Sequence, residues 1–352
     1  MTIRDLFGID LPILQAPMAG SQGSALAIAV SNAGGLGSLP CAMLGPDQIR
    51  QELQTIVWST EKPYGVNFFV HPAPTPNEAR EAVWRSVLAP YFAEHGIDPA
   101  AINAGPQRLP FNDAAADVLE EFKPPVVSFH FGLPSDALMK RVKSWGSKIL
   151  SSATTRDEAK YLEAHGVDAI IAQGSDAGGH RGMFLTNDLE TQLPTRLLVP
   201  QITDAVKVPV IAAGGIATAR DVTAAFAFGA HAVQVGTAYL FCPEATTNPL
   251  HRAALKSDMA EKTAITNLFT GRPARGIVNR LMREIGPMNA AAPEFPLAAT
   301  AIFALRSKAE PKGLNDFTSM WAGQNARNCR ELGAAKLTQQ LAEGVVHARK
   351  WT

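Results

Sequence analysis

Short apolar or β-branched runs recur along the 352-residue chain, each ending at glycine, proline or a small polar residue, with amphipathic stretches of helical period between most of them. Eight runs are found, at residues 12–19 (PILQAPMA), 35–40 (GLGSLP), 64–70 (YGVNFFV), 126–131 (VVSFHF), 148–153 (KILSSA), 169–174 (AIIAQG), 208–214 (VPVIAAG) and 232–240 (AVQVGTAYL). Helical periodicity covers 24–33, 46–60, 114–122, 134–145, 155–165, 197–206 and 218–228. Thr155 with Glu158, and Thr218 with Asp221, have the spacing of capping boxes. Parallel strands need crossover connections, and those are right-handed, so an eightfold alternation of strand and helix predicts a closed α/β structure, the (β/α)8 TIM barrel. A doubly wound open sheet is the alternative.

Two segments break the repeat. Residues 71–111 are rich in proline and contain a helical stretch at 78–95, predicted to cover one end of the barrel. Residues 242–312 carry several arginines and prolines and read as a smaller, mostly helical insertion lying over the substrate like a lid. The tail, 315–351, should supply a closing helix with Leu332, Leu337, Leu341 and Val345 or Val346 at helical spacing. The division expected is a barrel over 1–241, a covering insertion over 242–312 and a helical segment over 313–352 that packs on the barrel.

Composition narrows the function. With 46% hydrophobic and 18% charged residues the chain can bury a large core, which excludes a disordered or fibrous protein. Lys plus Arg and Asp plus Glu both number 32, so no net positive field draws nucleic acid or an anionic membrane, and a small-molecule partner is expected. Three scattered cysteines, Cys41, Cys242 and Cys329, suit neither a disulfide framework nor a zinc site. Arg4, Asp5 and Asp10 interrupt any apolar leader and no window of about 18 apolar residues follows, so a cytoplasmic protein is expected.

In barrels of this kind chemistry sits at the C-terminal ends of the strands, with phosphate groups on the last two loops. The seventh run ends in Ala213, Gly214, Gly215 and Ile216 directly before the helix that opens at Thr218, so two amides without side chains and a helix N-terminus meet in an anion cradle. Gln234, Val235, Gly236 and Thr237 in the eighth run add a glycine and a hydroxyl donor beside it. A paired glycine alone is a common tight turn; both loops falling at these two strands favour a phosphate. After the sixth run, residues 173–182 (QGSDAGGHRG) hold four glycines in ten positions. There Gln173 offers a donor and an acceptor to a ring edge, Gly178 and Gly179 permit flat approach, and His180 is placed to project over a reaction centre. His130, in SFHFG, reads equally well as a core histidine or as a site residue. Met18, after the chain break at Pro17, exposes backbone suited to an apolar ring. Asn67, on an apolar strand, needs either a backbone neighbour or a ligand, because an unpaired buried amide costs about 1–3 kcal/mol. GxGxxG, P-loop, GxSxG and HExxH patterns are absent, which lowers hydrolase and metalloenzyme readings.

The segments QAPMAG, GGLGSLP, YGVNFFV, FHFGLP, AQGSDAGGHRG, AAGGIA, QVGTAYL, TGRPARGIVNRL and WAGQNA occur in this order from residue 12 to about 327, and together they resemble the nitronate monooxygenase family, formerly 2-nitropropane dioxygenases, in its class I branch. The resemblance implies an FMN-bearing barrel that oxidises alkyl nitronates, such as propionate 3-nitronate, with O2 to a carbonyl compound and nitrite. It implies FMN contacts at Met18, Asn67, Gln173, Gly178, Gly214, Gly215, Gln234, Gly236 and Thr237, with Gly214, Gly215, Gly236 and Thr237 at the phosphate. It also implies an active-site histidine at His180 and a second pocket histidine at His130. Two positions depart from the pattern: Asn325 follows Gln324 where glycine is usual, and Phe295 replaces an aromatic hydroxyl. His180 is expected either to bind the nitro oxygens or to take an α proton. Rival readings are an FMN-dependent enoyl or quinone reductase fed by NAD(P)H and a non-catalytic flavin-binding barrel.

Overall fold

In a computed structural model the protein is described over residues 2–102 and 109–348. Residues 103–108 of the expected first insertion, and the last residues of the expected closing helix, lie outside the described residues. The strands, in chain order, are β1 (Ile13–Gln15), β2 (Gly37–Pro40), β3 (Tyr64–Phe69), β4 (Val126–His130), β5 (Lys148–Ala153), β6 (Ala169–Gln173), β7 (Gly179–His180), β8 (Val210–Ala213), β9 (Ala232–Val235), β10 (Thr263–Thr266) and β11 (Ala274–Ile277). Eight of them pair in parallel in the order β1-β9-β8-β6-β5-β4-β3-β2. The two ends of that sheet meet: Gln15 N donates to Leu36 O and Leu36 N to Ile13 O, each at 2.9 Å. The sheet is thereby closed into the predicted barrel, and the open-sheet alternative falls.

The strands read as unbroken apolar runs because both of their faces are buried. Ile13, Ile149, Ile170 and Val210 face the helices, while their neighbours Leu14, Leu150, Ile171 and Ile211 fill the barrel, whose lower end Ile3, Phe7 and Ile9 plug. Register then sets the upper rim. Gln173 pairs with Ala213, Ala213 with Gln234, and Phe69 with His130, so the strand ends stand level.

All but the fifth run are somewhat shorter as strands than their pattern suggested, the first and the eighth most of all. Pro17 has no N–H to continue β1, and beyond Gly236 the chain turns into a single-turn 3-10 helix, Thr237–Phe241. The segment 242–312 also carries β10 and β11, which pair antiparallel and add β7 as a third strand, Ala274 opposite His180. The helix Glu78–Glu94 and this segment share one second core in which Trp84, Leu88 and Phe92 meet Leu281, Leu305 and Phe317. The helix Ala334–Ala348 buries Leu337, Leu341 and Val345 and leaves Val346 outside; Thr223 Oγ1 donates to Gly344 O at 2.9 Å, joining it to the helix Ala219–Ala227.

Candidate active site

The barrel opens at its C-terminal end into a cavity of about 270 Å³, roofed by Trp321, Thr318 and Ser319. Each of the eleven residues singled out from the sequence lines it: Met18, Asn67, His130, Gln173, Gly178, His180, Gly214, Gly215, Gln234, Gly236 and Thr237.

The loop after β6 is built from its backbone outward. Gln173 uses both ends of its amide on it, Nε2 donating to His180 O at 2.9 Å and Oε1 accepting from Gly182 N at 2.7 Å. Arg181 is wholly buried beneath and donates to Gly174 O (2.8 Å), Gln173 O (2.7 Å) and Gln192 Oε1 (2.9 Å), closing the loop on itself. At Gly178 the chain runs against Ala322 and Gly323, whose backbone atoms would lie 2.6 Å from any Cβ. Gly179, at φ +76°, then turns His180 into the cavity.

The His180 ring sits among Phe69, Phe131, Phe295 and Trp321, at centroid distances of 5.9, 6.0, 5.4 and 5.4 Å, and its Nε2 lies 2.9 Å from Thr270 Oγ1. Phe295, the departure noted in the sequence, thus contributes an apolar face where a hydroxyl is common. Three guanidinium groups surround the loop. Arg272 lies 3.9 Å over the Phe131 ring and Arg275 Nε donates to Ser175 O at 2.7 Å, with Arg181 below. Burial brings Arg181 down to about 9 and Arg272 to about 10, still cationic at neutral pH, and with Arg275 the three guanidinium groups outnumber the two nearby carboxylates of Asp176 and Glu158. An anion in the cavity is favoured by this field.

His130, at the end of β4, has both ring nitrogens engaged, Nδ1 with Ser152 Oγ at 3.0 Å and Nε2 with His180 O at 3.1 Å. Burial holds it down to about 3, hence neutral. Its place in the pocket agrees with the sequence, but in this arrangement neither nitrogen is spare for proton transfer.

Directly beside the loop after β6, Gly214 (φ +125°) and Gly215 (φ +69°) lead into the helix Ala219–Ala227. The capping box seen in the sequence forms, with Asp221 Oδ2 accepting from Ala217 N, Thr218 N and Thr218 Oγ1. A Cβ at Gly214 would meet Thr195 Oγ1 at 2.6 Å and Ala177 N at 2.8 Å. Thr237 Oγ1 accepts from Gly323 N at 2.9 Å and retains its own proton for an acceptor in the cavity. Asn67 Nδ2 donates to Ser128 Oγ at 2.9 Å, and the residue lines the cavity. The Gln234 side chain makes no hydrogen bond to protein among the described residues and lines the cavity.

Sequence reasoning missed Ser152, Arg181, Thr270 and Trp321, and at the cavity's far end Asn248, His251 and Arg306. Arg181 alone had a local signal, a charged residue inside the glycine-rich loop; the others act only through chain-distant partners.

The family model described as nitronate monooxygenase matches residues 1–344. The chain is 41% identical to a nitronate monooxygenase of Pseudomonas aeruginosa over 96% of its own length and 97% of that protein's, and 42% identical to one of Paraburkholderia phytofirmans over 96% and 92%. Among solved structures it is similar to the nitroalkane oxidase of Streptomyces ansochromogenes (38% identity, TM-score 0.89, 99% of each chain) and to FabK of Thermotoga maritima (28% identity, TM-score 0.73, 100% and 99%). Matched along nearly its whole length, the chain belongs to the nitronate monooxygenase family of oxidoreductases.

Proposed function

We propose that this protein is an FMN-dependent nitronate monooxygenase that converts alkyl nitronates and O2 to a carbonyl compound and nitrite. The observation that carries this reading is His180, presented in an aromatic cage among buried cations, in the same cavity as the glycine loops after β8 and β9. The residues present fit FMN: Cβ-free backbone at Gly214, Gly215 and Gly236, the Thr237 hydroxyl proton and the helix N-terminus suit its phosphate, and the Gln234 and Asn67 amides suit polar atoms of the ring or ribityl chain. When bound, FMN supplies the electron acceptor and the partner for O2.

The protein's own part is to hold the anion and keep water out. Thr270 Oγ1 lies 2.9 Å from His180 Nε2, and by donating its hydroxyl proton to that nitrogen it fixes the ring and leaves the ring proton on Nδ1 as a donor. His180 then serves as a polar anchor for the nitro oxygens, assisted by the field of Arg181 and Arg272. Phe69, Phe131, Phe295 and Trp321 make the surroundings of low dielectric, in which that field is felt more strongly. A preference for nitronate over neutral nitroalkane follows. Three free cysteines suit a reducing, cytoplasmic location.

The test is an absorbance spectrum of the purified protein followed by oxygen uptake with ethyl nitronate and propionate 3-nitronate. A yellow protein that consumes O2 with nitronate is expected; a colourless protein that takes up no FMN refutes the proposal. The similarity to FabK makes a nicotinamide-fed reductase the competing reading. Anaerobic mixing separates them, since bleaching by NADH or NADPH supports the reductase and bleaching by nitronate alone supports the monooxygenase.

A further inference from the structure

We infer that Ser152 and His130 form a positioning pair that aims His180 by gripping its backbone, and that His130 takes no part in proton transfer. The inference rests on the reading of His180 as the residue that meets the nitronate. A carbonyl oxygen can only accept, so the 3.1 Å contact from His130 Nε2 to His180 O requires the proton to sit on Nε2. In the neutral ring Nδ1 is then a bare acceptor, and Ser152 Oγ at 3.0 Å donates to it. Burial, which brings His130 down to about 3, keeps the ring in this neutral form. Were the tautomer reversed, the Nε2 lone pair would face the carbonyl oxygen and the contact would turn repulsive.

The grip is needed because of what flanks it. Gly179 precedes His180 at φ +76°, a freely rotating position, and β7 is only two residues long. The His180 carbonyl therefore receives two donors, His130 Nε2 from β4 and Gln173 Nε2 from β6, which fix the peptide plane from which the catalytic ring projects. Packing leaves no slack: a Cβ at Gly182 would come within 2.9 Å of both His130 Cε1 and Ser152 Cβ. Ser152, on a barrel strand, thus acts on the reaction through His130 and the His180 backbone.

The experiment compares His130→Gln, His130→Phe and Ser152→Ala by turnover of ethyl nitronate, FMN content and hydrogen–deuterium exchange of the 174–182 segment. A glutamine amide can donate to His180 O but cannot carry a proton to or from substrate. His130→Gln is expected to keep kcat within about threefold of the parent, while His130→Phe and Ser152→Ala lose about tenfold or more in kcat, with KM and FMN content nearly unchanged and faster exchange in the loop. If His130→Gln is as inactive as His130→Phe, or if His130→Phe keeps full activity and parental exchange, the pair is not a positioning device. Exchange reports the grip even without turnover, so a parent protein inactive on every nitronate, but with this exchange pattern, would refute the proposed function and leave the positioning pair standing.

Discussion

Asn325 donates its side-chain amide both to Gly215 O, at 2.8 Å, and to Asp221 Oδ2, at 3.0 Å. One residue from the C-terminal segment thereby clamps the glycine turn after β8 to the cap of the helix that follows. Asn325 is therefore a brace on the glycine turn proposed to hold the FMN phosphate. Asn325→Ala removes both bonds, and loosening the turn should weaken FMN binding by about tenfold, a net loss near the 1 kcal/mol typical of such bonds. Fluorescence titration of the apoprotein with FMN measures this; unchanged affinity would show that the turn needs no brace.

His180→Asn keeps a polar side chain of smaller reach in the aromatic cage. Turnover of nitronate should fall by at least about 100-fold, while FMN content stays at the parental level because the proposed phosphate contacts are made by the glycine turns and not by His180. Oxygen-uptake rates and the flavin-to-protein absorbance ratio give the two readings, and a rate within a few-fold of the parent removes His180 from the chemistry.

Gly178→Ala tests how closely the loop must approach the roof. Its Cβ would meet Ala322 C and Gly323 N at 2.6 Å, and both are backbone atoms with no rotamer to yield. The 173–182 loop must then shift, so kcat should drop more than tenfold and the melting temperature should fall. A variant with parental rate and melting temperature would mean that the 322–323 backbone gives way without consequence.

Stability should decline in mild acid for a reason located in two histidines. Burial holds His130 down to about 3 and His251 to about 4, whereas both titrate near 6.5 in the unfolded chain. Below pH 6.5 the unfolded state takes up protons that the native state refuses, so stability is full above that pH and is lost as pH falls toward 4, each histidine contributing a slope of up to about 1.4 kcal/mol per pH unit. Urea midpoints at pH 7, 5.5 and 4.5 should show the decline, and His251→Leu should make it shallower. Equal slopes in parent and variant would show that His251 is protonated freely in the native protein.

The barrel was legible because its information is local. An apolar run bounded by breakers, followed by an amphipathic stretch with a cap such as Thr218–Asp221, declares strand and helix within about 25 residues, and the alternation then leaves few topologies open. Gly214 and Gly215 stood out for the same reason, since only a residue without a side chain suits a positive φ or a close backbone approach, and that holds whatever the rest of the chain does. The structure decided what depends on partners far along the chain. Nothing near His130 indicates that its two nitrogens face Ser152 and His180, and nothing near Asn325 indicates Gly215, 110 residues away. The second core, in which Trp84 meets Leu281 and Phe317, likewise exists only once two separated segments have been brought over the barrel mouth. Pattern and glycine act through sterics and hydrophobic period within a few residues, whereas a hydrogen-bond partner is chosen by whichever group folding delivers to within 3 Å.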